Sequence, residues 1–191
     1  MKPPVRLVAL IVFVFPLMQA CAPLLIGAGI GAGVMISEDR RTSAAMLEDQ
    51  TIEVKTKNRI EEKYGDQVRI NVTSYNRFIL LTGEAPSEEI RQDLGVLALE
   101  ISNVRNVQNE TIVAGHSSLA SRSADSLTTS RVKGRLTQNE DVGANHIKVV
   151  TENSTTYLMG LVTRAEADAA AQTTATTSGV QRVVKVFEYI D

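Results

Sequence analysis

Asp49 to Ile60 reads DQTIEVKTKNRI, and Asp125 to Leu136 reads DSLTTSRVKGRL. Aligned, both open on aspartate, place β-branched residues at the fourth step (Ile52, Thr128) and the eighth (Thr56, Val132), and close on arginine followed by a large aliphatic residue. Three further blocks recur in the same order. Arg69-Ile70-Asn71-Val72-Thr73 corresponds to His146-Ile147-Lys148-Val149-Val150, Leu81-Thr82-Gly83 to Leu158-Met159-Gly160, and Asn103-Val104-Arg105-Asn106-Val107 to Gly179-Val180-Gln181-Arg182-Val183. Ordered self-similarity over four blocks means two copies of one structural unit.

Within the first copy, Ile52, Thr56 and Ile60 fall at helical spacing, and Val68, Ile70 and Val72 then alternate as in a half-buried strand. Tyr75-Asn76 marks a turn, and Phe78 to Thr82 forms a second strand ending at Gly83. Ile90, Leu94, Leu97 and Ile101 give a helical stripe, whose start is set by Ser87 with Glu88 and Glu89 in the first turn. Val107, Asn109, Thr111 and Val113 alternate along a last strand. The unit is therefore helix, strand, strand, helix, strand.

The second copy repeats it with Thr128, Val132 and Leu136, then Ile147 and Val149, then Thr155 to Gly160, an alanine-rich helix near Ala165 to Thr176, and Val183 to Ile190. In that last strand Val184, Val186 and Ile190 oppose Val183, Phe187 and Tyr189, so both faces are apolar. A strand of this kind is covered twice, here by its own helices and by the other copy. Gly83 and Gly160, at matching strand ends, read as structural positions that need positive φ or room for a neighbouring backbone.

The chain opens with Lys2 and Arg6, an apolar run from Leu7 to Met18, and the only cysteine directly after Ala20. That order is a signal peptide, and the run is shorter than the roughly 20 residues of a membrane-spanning helix. Leu17-Met18-Gln19-Ala20-Cys21 resembles the bacterial lipobox, with Met18 in place of the usual leucine. The resemblance implies lipidation of Cys21, and Ala22, not aspartate, after it implies the periplasmic face of the outer membrane. Several acyl chains on one residue make a durable anchor.

The organisation expected is a signal peptide over 1–20, a lipidated tether over 21–48, domains over 49–113 and 125–191, and a serine-rich linker over 114–124. Gly27 to Gly33 places glycine at every second position, a pattern read either as flexible tether or as a segment lying in the membrane interface.

The two copies resemble BON domains, the resemblance resting on Arg69 to Thr73, Gly83 and Gly160, Thr151-Glu152-Asn153, Leu158 to Thr163, and Gly179 to Val183. It implies an α+β fold of two tandem αββαβ modules, each a three-stranded mixed sheet packed on two helices. It also implies phospholipid binding without catalytic chemistry, a role in outer-membrane integrity, and enrichment at division sites. Some members of this family carry a haemolysin label.

The sequence has 20 basic and 22 acidic residues. Without Lys2 and Arg6 the balance is 18 to 22, about −4, so no basic field points to nucleic acid. No cofactor or metal is expected. His116 and His146 read as solvated, no carboxylate pair has acid–base spacing, and no serine sits in a nucleophile elbow.

The candidate phospholipid contacts lie on the first helix of the second copy. With Thr128, Val132 and Leu136 inward, Leu127, Ser130, Arg131, Gly134 and Gln138 lie outward, with Arg135 at the edge and Lys133 farther round. An apolar side chain among cations suits an anionic bilayer, each cation being worth about 1 kcal/mol near the surface. A singly exposed leucine on a solvated helix is the plainer alternative. Lys55, Lys57 and Arg59 of the first copy are offset by Glu53, Glu61 and Glu62. Envelope or division-site proteins are the further expected partners. The competing functions are a periplasmic protein-interaction scaffold and a haemolysin-like secreted protein.

Overall fold

The computed structural model describes residues 39–191; the signal peptide, Cys21 and the Gly27 to Gly33 stretch lie outside the described residues. The first copy comprises helix α1 (Ser43–Tyr64), strands β1 (Arg69–Tyr75) and β2 (Phe78–Ala85), helix α2 (Glu88–Leu99), and strands β3 (Asn106–Asn109) and β4 (Ile112–Val113). The second comprises α3 (Leu119–Thr137), β5 (Ile147–Glu152), β6 (Thr155–Val162), α4 (Arg164–Ala175) and β7 (Arg182–Tyr189). Each sheet is mixed, with its first two strands antiparallel and its last strand parallel to the central one. The expected αββαβ order holds in both copies.

The aspartates that open the repeated segment explain its conservation within the chain. Asp49 accepts the backbone N–H groups of Asn76 and Arg77, and Asp125 those of Asn153 and Ser154. All four turn residues have positive φ, as a two-residue hairpin loop requires, and the buried carboxylate holds that turn against the helix. Gly83 is needed for a different reason. Its φ is +118°, and a Cβ there would stand 1.9 Å from the Arg69 carbonyl oxygen. At Gly160 a Cβ would stand 2.4 Å from the His146 carbonyl oxygen, so the matching glycine allows the same close backbone approach.

Alternation along the central strands divides their side chains between two cores. Ile79, Leu81 and Ala85 of β2 join Ile52, Ile60, Leu94 and Ala98 beneath the helices of the first copy. Leu158 and Val162 of β6 do the same with Val132, Leu136, Ala167 and Ala170. The other faces meet each other, and Tyr75, Leu80, Tyr157 and Met159 form a third core with Phe78, Val150, Leu161, Val184 and Val186 around it. The two sheets therefore stack face to face with helices outside, a sandwich made from two small modules. Val183 and Phe187 face the helices while Val184 and Val186 face the other sheet, as the two-sided strand implies. Ile190 and Tyr189 remain exposed instead.

Charged groups close the sandwich at its edges. Arg69 of β1 donates to Glu84 of β2 and to Glu152 of β5, and Asn71 and Asn153 donate to the same carboxylates. Glu84 is only 1% exposed. Burial pushes its carboxyl up, but the hydrogen bonds from Arg69 and Asn153 outweigh this and hold it below the ordinary carboxylate range. At the opposite edge, Arg105 and Asn76 reach Glu188 of β7.

Three boundaries differ from the sequence expectation. Helix α1 starts at Ser43, capped by Thr42, so residues 39–48 are not tether. Arg40 donates to the Leu161 carbonyl and pairs with Glu166 in the second copy, while Arg41 pairs with Asp39 and Asp49 and lies over the Tyr75 ring. Helix α3 starts at Leu119, capped by Ser118, which leaves a shorter linker whose Ser117 backbone reaches Glu84 in the first copy. Thus the segment before each first helix crosses onto the other module. The last strand of the first copy is broken, because Asn109 turns its side chain to accept from Thr111 and to donate to the Arg91 carbonyl.

Candidate functional site

Helix α3 is placed by its inward face and by Asp125, leaving its other side to solvent. Asp125, Thr128, Val132 and Leu136 are buried. Leu127, Ser130, Arg131, Lys133, Gly134, Arg135 and Gln138 are all exposed, as the inward placing of Thr128, Val132 and Leu136 requires. Leu127 is 58% exposed.

From Leu119 to Thr137 the helix carries four cations, Arg122, Arg131, Lys133 and Arg135, and one acid, Asp125, which is buried and spent on the hairpin turn. The charges on its outer surface are therefore all positive. Helix α1, its counterpart, mixes Glu48, Glu53, Glu61 and Glu62 with Lys55, Lys57, Arg59 and Lys63.

The seven candidates are not equivalent. Arg131 and Lys133 make no ion pair among the described residues. Arg135 donates to the Thr173 carbonyl and to the hydroxyls of Thr176 and Thr177, near the end of α4, so its guanidinium serves the fold first. The Ser130 hydroxyl turns back onto the Ser126 carbonyl, and Gln138 is the C-terminal cap of the helix. A Cβ on Gly134 would meet nothing within 4 Å, so the fold has no steric need for glycine at this helical position.

Leu119, 74% exposed, was not among the sequence candidates. It lies eight residues before Leu127, so Leu119, Ser123, Leu127 and Arg131 follow one another at four-residue intervals along the exposed side. The signal for it was hidden because residues 114–124 read as linker.

His116 is exposed, but His146 departs from the solvated reading. Its side chain is 16% exposed, its Nδ1 lacks a partner, and Glu166 Oε1 lies 3.9 Å away. Burial follows because its backbone is clamped, with the Tyr75 hydroxyl donating to its carbonyl. Among the described residues there is no metal-ligand cluster, and no helix is long and apolar enough to cross a membrane.

Comparison with known proteins places these features in context. The profile of the BON domain matches residues 48–115 and 124–191. Over 190 residues, 98% of each chain, the sequence is 34% identical to the outer membrane lipoprotein DolP of Haemophilus influenzae. It is 31% identical over 154 residues to the 21 kDa hemolysin of Actinobacillus pleuropneumoniae, covering 80% of this chain and 79% of that one. Among solved structures, the C-terminal domain of CdsD, a structural protein of the type III secretion system of Chlamydia trachomatis, matches 75% of this chain and 67% of its own. The identity there is 15% and the TM-score 0.30.

Proposed function

The chain belongs to the BON domain family, and from that premise we propose that it is an outer-membrane lipoprotein, anchored through Cys21, whose second module binds anionic phospholipid through helix α3. The likeness to DolP over nearly the full length of both chains supports the outer-membrane lipoprotein reading. The lipobox supports the anchor, and Ala22 the periplasmic face. In this reading the protein is a binding protein and not an enzyme, and it supports the integrity of the outer membrane at sites that include those of division.

The observation that carries lipid recognition is the exposed side of α3, where Leu119 and Leu127 stand among cations with no exposed acid to offset them. Leucine supplies apolar burial, about 0.8 kcal/mol per buried CH₂ group, and each cation about 1 kcal/mol of attraction to an anionic surface. Gly134 fits the same picture, since it brings the bilayer close to the helix backbone where the fold itself asks for nothing.

The test is co-sedimentation of the unlipidated mature chain with vesicles of phosphatidylglycerol and phosphatidylcholine, beside Leu127→Glu and Arg131→Glu, with folding checked by circular dichroism. Reversing one cation should weaken binding by about 2 kcal/mol, roughly 30-fold. Binding should also fade at about 1 M salt, where the Debye length is about 3 Å. Undiminished binding by both folded variants would move the site off α3. No binding by the parent would leave Cys21 as the only membrane contact.

A further inference from the structure

Strand β1 is an edge strand, paired only with β2, and its free side borders a groove shared with helix α1 and strand β5. Backbone groups of an antiparallel edge strand point alternately to the partner and away from it. Tyr75 closes the hairpin opposite Phe78, so Tyr75, Thr73 and Asn71 bond toward β2, and Ser74, Val72 and Ile70 direct their N–H and C=O groups outward. At Ser74 both are occupied, the N–H donating to Glu53 Oε1 at 2.7 Å and the carbonyl accepting from Lys148 Nζ at 3.3 Å. At Val72 and Ile70 neither group has a partner among the described residues.

Two cavities lie along this edge. One of about 460 Å³ lies between Glu53, Val54 and Lys57 of α1 and the β1 residues from Ile70 to Thr73, with Val150 to Glu152 of β5 along its other border. The next, about 200 Å³, continues with Ile60, Glu61 and Asp66 while sharing Lys57, Ile70 and Val72 with the first. Together they form one channel along helix α1 and the free backbone of β1, its larger part also bordered by β5 of the second copy. Its charges are uneven. Glu53 is spent on Lys148 and the Ser74 amide, and Glu152 on Arg69 and Asn71. At the far end Glu61, Asp66 and Lys57 make no ion pair among the described residues, while Arg69 is engaged by Glu84 and Glu152, which leaves two free acids to one free cation.

We propose that this channel binds an extended segment of a partner protein, which adds to the first sheet as a strand beside β1. Unpaired N–H and C=O groups on alternate residues are the chemistry that recognises another main chain, and a flanking helix supplies side-chain pockets at the two-residue repeat of a strand. The segment carries apolar residues at alternate positions, against Val54, and a basic residue over Glu61 and Asp66. This site lies on the first module with β5 of the second at its border, away from the exposed face of α3, and is independent of lipid recognition there.

The probe is a peptide selected from a random-peptide display library on the unlipidated mature chain. Bound peptide should slow hydrogen exchange at the Ile70 and Val72 amides, and its sequence should alternate in polarity with a basic residue at one end. Val72→Pro deletes an outward N–H that no internal bond uses, at a position on an edge strand where proline is accepted, and exchanges a partly buried valine for a ring of similar size. It should weaken the peptide about tenfold, the order expected for losing a main-chain hydrogen bond in a desolvated groove. Val54→Asp, which leaves β1 untouched, should weaken it as well. Failure to select any peptide, or peptides whose binding ignores both folded variants and leaves the Ile70 and Val72 amides unprotected, would overturn the proposal.

Discussion

Leu80→Ala should destabilise both modules, although Leu80 belongs to the first. Its side chain is 0% exposed and sits between the sheets, in contact with a core that includes Tyr157 and Met159 from β6. Truncating a buried leucine removes three carbons' worth of burial and leaves a cavity, together costing about 3 kcal/mol where surroundings relax only partly. That is a large part of a typical total of about 5–15 kcal/mol, and in a chain of this size it lowers Tm by roughly 6–12 °C. Because the cavity opens against β6, the loss falls on the shared interface. Hydrogen exchange under mild denaturant reads the two sheets separately. The amides of Ile79 to Leu81 and those of Tyr157 to Met159 should lose protection together, by roughly 100-fold. Wild-type protection in β6, with protection lost only in β2, would refute the view that the sandwich unfolds as one unit.

Arg69→Gln should cost about 3–5 kcal/mol at neutral pH, since it leaves the carboxylates of Glu84 and Glu152 buried without their cation; urea unfolding measures this. The Glu84 carboxyl is held below its ordinary value in the native protein, so its contribution is present above about pH 4.5 and lost as the pH falls; the variant's deficit relative to wild type should therefore shrink on acidification. Gly83→Ala should destabilise by at least about 2 kcal/mol, because it combines positive φ with a clash against fixed backbone, whereas Gly134→Ala should stabilise by about 1 kcal/mol in thermal melts. The Glu166 carboxyl is lowered to about 2, first by the hydrogen bond from Arg40, so the stability it supplies is complete above about pH 4.5 and fades toward pH 2. Glu166→Gln should flatten the pH profile of the urea midpoint across that window.

Elements set by local period were legible in the sequence. Ile52, Thr56 and Ile60, and Ser87 before α2, sit where spacing and capping place them. The outward set on α3 followed from the same geometry, because three inward residues on a helix fix its remaining faces. What the sequence hid was non-local. Nothing near Arg69 says that its carboxylates come from residues 15 and 83 positions away. Thr42 and Ser118 were concealed as helix starts because the residues after them, rich in alanine and serine, have no apolar stripe. Those first turns are held by side-chain caps and by the crossing segments instead of by a buried face. The break at Asn109 was hidden too, since polar residues at alternate positions fit a strand until one of them bonds its own backbone.

Stacking the sheets also explains how two copies of one unit can differ in role. A module of about 65 residues buries too little surface to be comfortably stable alone, and here each uses the open face of its sheet on the other. Both inner faces are thereby fixed by Tyr75, Leu80, Tyr157 and Met159, and a change there is felt by the whole sandwich. The helices carry no such shared constraint on their outer sides. On α1 that freedom leaves mixed charge beside a free strand edge, and on α3 it leaves cations without exposed acid, around Leu119 and Leu127. Divergence between the copies is therefore expected on the helices and edges, and membrane binding should respond to α3 substitutions while the same changes at the matching α1 positions, such as Thr51→Glu for Leu127→Glu, leave it in place.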